Sequence, residues 1–237
     1  MEFKKVVVLS GAGISAESGL QTFRGNDGLW EGYRVEEIAT PEAWRKNPNV
    51  VQDFYNERRK KCIDAQPNAA HFALVELEKY AEVTIITQNI DDLHERAGSQ
   101  NIIHLHGEIR KSRSSLDPTM LYEINGDTIS MGEKCELGSQ LRPHVVWFGE
   151  PVPKMEHATK LAKNADILLV VGTSLQVYPA ANLVYEVNAY CQIIVVDPHI
   201  PPINLARKNI SFFEEKASVA LPKMVTYFGK NNHFDPQ

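Results

Sequence analysis

Residues 6–16 read Val6-Val7-Val8-Leu9-Ser10-Gly11-Ala12-Gly13-Ile14-Ser15-Ala16, and the organisation of the chain follows from them. Unbroken apolar residues, mostly β-branched, predict a strand buried on both faces, as in the middle of a parallel sheet. The run passes through two glycines into a helical start, which places a G-x-G-x-x-G/A pattern at a strand-to-helix turn. There Gly11 suits the tight turn, Gly13 lets backbone approach a pyrophosphate, and Ala16 lets the following helix pack close to the sheet. Backbone N–H groups at such a helix start attract phosphate. Taken alone, the pattern equally describes a plain glycine turn. The acidic ribose partner expected about 20 residues later, on a second strand, is missing. Asp197, after the apolar run 193–196, is the alternative, and Gly172-Thr173-Ser174 follows another strand with small, donor-rich residues.

Further apolar runs predict strands over 83–87, 102–104, 167–171 and 193–196, separated by helical patterns over 50–65, 68–80, 153–163, 179–190 and 218–228. Alternation of this kind predicts an α/β fold: a Rossmann-like, open parallel sheet with helices on both faces. Two stretches interrupt it. Residues 31–80 are helical where an early second strand belongs, and residues 108–146 are polar, irregular and rich in Ser, Gly and Pro. Both read as insertions forming a small lobe beside the sheet, so that residues 1–237 make one catalytic domain. The tail from 229 to 237 reads as frayed.

Composition narrows the function. A 43% hydrophobic content supplies a core, and a net charge of −5 gives no electrostatic reason to expect nucleic acid or an anionic membrane as partner. Three scattered cysteines do not make a disulfide framework, which suits a reducing compartment. No run approaches the roughly 20 apolar residues of a membrane span, and the run after Lys4-Lys5 breaks too early for a signal peptide. A cytoplasmic protein is expected.

Polar residues then gather after two strands, as Gln88-Asn89-Ile90-Asp91 and as His104-Leu105-His106-Gly107. Asn89 and Asp91 alone suit helix capping, and either histidine alone suits a buried imidazole. Strand alternation lets the two histidines point the same way, yet no third ligand stands at matching spacing, so base catalysis ranks above metal binding. Beside a glycine-rich turn the whole group favours a site.

Gly11-Ala12-Gly13-Ile14-Ser15, Phe23-Arg24, Gly28-Leu29-Trp30, Gln88-Asn89-Ile90-Asp91, His106-Gly107, Phe148-Gly149-Glu150 and Gly172-Thr173-Ser174 resemble the sirtuin signatures, in the sirtuin order and over nearly the whole chain. The resemblance implies an NAD-dependent protein-lysine deacylase that releases nicotinamide and O-acyl-ADP-ribose. It implies NAD contacts from Gly11, Ala12, Gly13, Ile14, Ser15, Glu17, Phe23, Arg24 and Trp30, from Gln88, Asn89, Ile90, Asp91 and His106, and from Gly172, Thr173, Ser174, Asp197 and Ala217. Asn89, Asp91 and His106 carry the chemistry in that reading, with His106 as general base, because imidazole titrates near the operating pH. Val146, Trp147, Phe148, Gly149 and Glu150 would pair with the extended backbone of an acyl-lysine protein or peptide.

Two details depart from the general family pattern. Sirtuins usually hold the small lobe with zinc on two cysteine pairs, but Ser112-Arg113-Ser114-Ser115 follows His106-Gly107 and Cys135 stands alone before Leu141. One thiolate cannot close a four-ligand site, so zinc is not expected. Tyr55 and Arg58, one helical turn apart, resemble the Tyr-x-x-Arg pair of sirtuins that remove succinyl and malonyl groups, in which guanidinium and phenol take a distal carboxylate. Without the family, Arg58-Arg59-Lys60-Lys61 reads as a solvated basic face. The rival functions are an NAD hydrolase or ADP-ribosyltransferase on the same site, and a non-catalytic NAD-sensing module.

Overall fold

The computed structural model describes residues 3–22, 30–203 and 208–234. The chain opens with β1 (Lys5–Ser10) and a 3-10 helix over Ala12–Ser18, then runs through α1 (Val35–Ile38), α2 (Pro41–Lys46), α3 (Pro48–Asp64) and α4 (Ala69–Leu77). Next come β2 (Glu82–Thr87), α5 (Leu93–Ala97), β3 (Ile102–His104), β4 (Gly107–Ser114), β5 (Leu121–Glu123) and β6 (Leu141–Val145). The last part holds α6 (Met155–Lys163), β7 (Ile167–Val171), α7 (Leu183–Glu186), β8 (Gln192–Val196), β9 (Ile210–Phe213) and α8 (Ala217–Asn231).

Alternation along β1 sets the layers. Val6 and Val8 face α4 and α8, Val7 and Leu9 face α6 and α7, and all four are at most 3% exposed. The parallel sheet has the order β3-β2-β1-β7-β8-β9, so the Rossmann-like expectation is borne out. The winding direction reverses between β1 and β7, which opens a crevice at their carboxyl ends.

β9 escaped the sequence reading because it is an edge strand of half-exposed residues without a clean apolar run. The helix expected over 179–190 is also shorter. It comprises a 3-10 turn over Ala180–Asn182 and α7, and Val187 is already extended. Asn188 draws the chain off the helix: its side chain accepts from the N–H groups of Tyr190 and Cys191, at 2.9 Å each, and donates to the carbonyls of Lys163 and Ala165.

The insertions pack together. α1, α2 and α3 share a core with the small sheet, in which Trp30, Ile38, Val51, Phe54 and Tyr55 meet Ile109, Val145 and Trp147. Residues 108–146, read as irregular, contain the antiparallel sheet β5-β4-β6. Its pattern was hidden because the buried positions of β4 include Ser112, Arg113 and Ser114, which hydropathy counts as loop. α4 lies within the 31–80 stretch but packs on the large sheet beside α8.

Two side-chain arrangements join this lobe. Arg59 is fully buried, donating from Nε to the Ile109 carbonyl at 2.7 Å and from Nη1 to Asn56 Oδ1 at 2.7 Å. It is therefore a tie between α3 and the small sheet, not part of a solvated face. Ser114, Cys135 and Ser139 meet with their Oγ atoms 2.8 Å apart and the thiol 3.3 and 3.1 Å from them. One thiol and two hydroxyls do not match a structural zinc centre, and among the described residues no group of three or more His, Cys, Asp or Glu converges on a common point. No helix among the described residues is long and apolar enough to cross a membrane.

Candidate active site

A cavity of about 720 Å³ lies between the carboxyl edge of the large sheet and the smaller lobe. Its floor is two turns in backbone contact. Gly11 N–H donates to the Val171 carbonyl at 3.0 Å and Gly13 N–H to the Gly172 carbonyl at 2.8 Å. A Cβ on Gly13 would stand 2.7 Å from Gly172 Cα, and Gly172 itself has φ +59, so both positions require glycine. Asn68 secures the turn from α4: its Oδ1 accepts from Ala70 N–H, and its Nδ2 donates to the Ile14 carbonyl at 2.8 Å and to Ser18 Oγ at 2.9 Å.

The segment after β2 is cross-linked to this floor. Asn89 Nδ2 donates to the Gly11 carbonyl at 3.1 Å and to Ser15 Oγ at 3.2 Å, and Ser15 Oγ donates to Asp91 Oδ2 at 3.2 Å. Gln88 Nε2 donates to Thr173 Oγ1 at 3.1 Å. Burial raises the Asp91 pKa against the opposing hydrogen bond from Leu93 N–H. A buried acid with its polar neighbours turned toward an open cavity suits binding of hydroxyl and amide donors.

The two histidines differ in role. His104 Nδ1 faces the Asn89 carbonyl at 2.9 Å and Nε2 faces Glu95 Oε1 at 2.6 Å, two acceptors that favour the doubly protonated ring. Burial opposes that charge, but Glu95 outweighs it and the pKa rises. His104 therefore ties β3 to α5 and does not line the cavity, so the two rings do not serve one face. His106 does line it, and its Nδ1 stands 3.0 Å from the Gln88 carbonyl. A carbonyl only accepts, so Nδ1 carries the hydrogen and Nε2 keeps its lone pair. Burial pulls the His106 pKa down, partly countered by Gln88, and the ring is neutral at neutral pH.

On the smaller-lobe side Tyr55 and Arg58 both line the cavity. Tyr55 is fully buried and accepts from Trp147 Nε1 at 3.1 Å, which leaves its own hydrogen to donate; burial pushes the phenol well above the ordinary tyrosine range, so it stays protonated. Trp147 is held in turn: the Arg142 guanidinium lies 3.7 Å over its ring, and its backbone N–H donates to Glu150 Oε2 at 2.8 Å. Glu150 lines the cavity, but its carboxylate also pairs with Arg113 at 2.8 Å and with Arg142. Its carboxylate thus bridges two arginines and the Trp147 backbone. Val146 N–H donates to the His106 carbonyl and Phe148 N–H to the Ala39 carbonyl.

Of the residues singled out from sequence, Gly11, Ala12, Gly13, Ser15, Glu17, Trp30, Gln88, Asn89, Ile90, Asp91, Gly172, Thr173, Ser174, Asp197 and Ala217 line the cavity with His106, Tyr55, Arg58 and the stretch from Val146 to Glu150. Ile14 does not: it is 1% exposed and packs in the core below the turn. Phe23, Arg24, Gly28 and Leu29 lie outside the described residues. Asp197 accepts from His199 N–H at 2.8 Å, and burial raises its pKa. Val177, Tyr178, His199 and Lys216 also line the cavity and were missed. They stand on loops without pattern; only the position of 177–179 shortly after Gly172-Thr173-Ser174 hinted at the first two.

A doubly wound sheet with a glycine turn at its reversal point and a second lobe across the crevice defines an α/β protein of the dinucleotide-binding class. The Sir2 family model matches residues 11–179. An NAD-dependent protein deacylase of Helicobacter pylori is 50% identical over 226 residues, covering 94% of this chain and 98% of its own. One from Aggregatibacter actinomycetemcomitans is 56% identical over 193 residues, covering 81% and 92%. A solved Sir2 homologue–NAD complex superposes with a TM-score of 0.87 at 42% identity, covering 97% of this chain and 91% of the other. A Sir2–p53 peptide–NAD+ complex gives 0.77 at 27% identity, covering 98% and 94%. The chain belongs to the Sir2 family.

Proposed function

We propose that the chain is an NAD-dependent protein-lysine deacylase that removes acetyl groups and also short acyl groups ending in a carboxylate, such as succinyl and malonyl. The observation that carries this reading is that one cavity joins the glycine turn, the Asn89–Asp91 cluster, a neutral His106, and the Tyr55–Arg58 pair. The relatives named as deacylases, similar along nearly the full chain, support the lysine chemistry.

The cavity fits a dinucleotide in size and lining. Gly11, Ala12, Gly13, Ser15 and Glu17 would meet its phosphates and neighbouring ribose with Gly172, Thr173 and Ser174, while Asp197 and Ala217 would meet the adenosine end. Trp30, Gln88, Asn89, Ile90 and Asp91 would enclose the nicotinamide ribose. When bound, NAD supplies an electrophilic ribose carbon carrying a good leaving group. The protein brings the acyl oxygen into line, which converts an encounter into a positioned reaction. His106 takes a proton at Nε2 from a hydroxyl facing it, with Nδ1 anchored on Gln88. With one water consumed to release the amine, the products are free lysine, nicotinamide and O-acyl-ADP-ribose.

On the substrate side, the N–H groups of Val146, Trp147, Phe148 and Glu150 all donate within the chain, so pairing with a peptide backbone falls mainly to the carbonyls of this segment. The Tyr55 hydroxyl and the Arg58 guanidinium would take a distal carboxylate. Incubation with NAD and a panel of acyl-lysine peptides, read by mass spectrometry, tests the whole reading, and failure to release lysine from any of them sinks it. In Arg58→Met the ratio of succinyl-lysine to acetyl-lysine kcat/KM should fall about tenfold to a hundredfold, the worth of one charge-assisted hydrogen bond. An unchanged ratio removes the carboxylate part of the reading.

A further inference from the structure

Arg58 already faces a carboxylate of its own chain. Its Nη1 donates to Glu31 Oε1 at 2.7 Å and its Nη2 to the Gln21 carbonyl at 3.3 Å, and the Arg58 and Glu31 side chains are only 7% and 9% exposed. The second Glu31 oxygen accepts from Lys61, whose side chain is half exposed. Lys61 follows Arg58 by one turn of α3, so both cations approach Glu31 from one helix face. Glu31 is fixed by its backbone as well. Its φ is +51, rare for a residue with a side chain, and the turn around it is closed by reciprocal Trp30–Tyr33 hydrogen bonds of 2.9 and 3.0 Å. Burial pushes the Glu31 pKa up, but Lys61 and Arg58 outweigh it, so Glu31 is an anion at neutral pH. Arg58 itself lines the cavity, and among the described residues its buried Nε–H meets no acceptor. A buried cation with an unmatched donor keeps hydrogen-bonding capacity beyond what Glu31 takes up.

We propose that Glu31 and Lys61 tune acyl specificity through Arg58: Glu31 is a resident carboxylate that competes with the acyl carboxylate for the guanidinium, and Lys61 offsets it. This rests on the reading of Arg58 as the acyl-carboxylate ligand. Two cations against one anion leave the trio with a single positive charge. An entering carboxylate therefore meets net attraction, but less than a lone Arg58–Lys61 pair would exert. Removing Glu31's charge strengthens the attraction, and removing Lys61's charge cancels it. Neither residue lines the cavity, so neither touches the acyl chain; both act as positioning and tuning residues.

The test is the succinyl-to-acetyl ratio of kcat/KM, with KM and kcat separated for each peptide, in Glu31→Gln, Lys61→Met and the double variant. Glu31→Gln should raise the ratio about threefold to thirtyfold, chiefly through a lower KM for succinyl-lysine, the effect of one charge at roughly 6–8 Å in partly solvated protein. Lys61→Met should lower it by a similar factor, and the double variant should return near the wild-type ratio. If Glu31 only orients Arg58, Glu31→Gln lowers the ratio instead; that result, or no change, overturns the proposal. Lys61 is half exposed, so Lys61→Met keeps the test alive if Glu31→Gln fails to fold, and an unchanged or higher ratio in it is equally fatal. Arg58→Met separates the two failures. If it too leaves the ratio unchanged, the carboxylate reading of the site has failed; if it lowers the ratio while the tuning variants do not shift it as stated, only the tuning has failed.

Discussion

Replacing His106 by alanine should abolish most deacylation while the protein still folds and binds NAD. The wild-type ring is ready to act as a base: Nδ1 is fixed on the Gln88 carbonyl at 3.0 Å, and Nε2 keeps its lone pair at the cavity. An unperturbed imidazole is about nine-tenths neutral at pH 7.5, and burial makes this one more so. Essentially every enzyme molecule therefore carries the base, and its full contribution is at risk. Loss of a general base costs about 10²–10⁴ in rate, or roughly 3–5 kcal/mol of barrier. The orphaned Gln88 carbonyl adds about 1 kcal/mol of lost stability. Steady-state turnover of an acetyl-lysine peptide at saturating NAD measures the first quantity, with calorimetric NAD affinity and thermal melting as controls. The pH profile supplies a second check. Protonation disables the base below its folded pKa, which lies under the ordinary 6.5, so the acid limb of kcat/KM should fall under pH 6.5. Wild-type turnover in His106→Ala, or an acid limb centred above pH 6.5, would refute the assignment.

The floor of the cavity offers a steric test: a Cβ at Gly13 would stand 2.7 Å from Gly172 Cα, so Gly13→Ala should weaken NAD binding by at least about tenfold, and unchanged calorimetric affinity would show that the two turns can part freely. Burial lowers the His71 pKa to about 4, so its stabilisation is present above pH 6.5 and drains away as pH falls toward 4. Of the stability lost between pH 7.5 and pH 5 in urea unfolding, about 2 kcal/mol should come from this group, with buried His94 and His144 adding to the total; a loss left undiminished in His71→Gln would assign all of it elsewhere. Because Ser114, Cys135 and Ser139 stand together with a single thiol, the purified protein should carry no stoichiometric zinc and keep its melting temperature in chelator; elemental analysis finding one tightly held zinc per chain would contradict this.

The sequence was most informative where one local rule fixed the outcome. The apolar run 6–10, ending in glycines, could form a buried strand and a tight turn and little else, and β1 with its turn lies at the centre of the sheet. Gln88-Asn89-Ile90-Asp91 and His106 were legible because polar residues directly after apolar strands sit at the sheet's carboxyl edge in an open α/β fold. Those signals are short-range, and the backbone obeys them wherever the segment lands.

The tertiary structure settled what depends on partners distant in sequence. That His104 ties α5 while His106 faces the cavity follows from Glu95 and Gln88, not from strand alternation. That Arg58 and Arg59 are buried while Lys61 is half exposed depends on Glu31, Ile109 and Asp127 reaching α3 from 27 to 68 residues away. Glu150, read as a peptide contact, spends its carboxylate on Arg113, Arg142 and the Trp147 N–H. A charged side chain's meaning lies in whether a buried counter-charge or carbonyl meets it. Desolvation makes that pairing obligatory in the interior, yet nothing local to the residue announces which distant group will supply it.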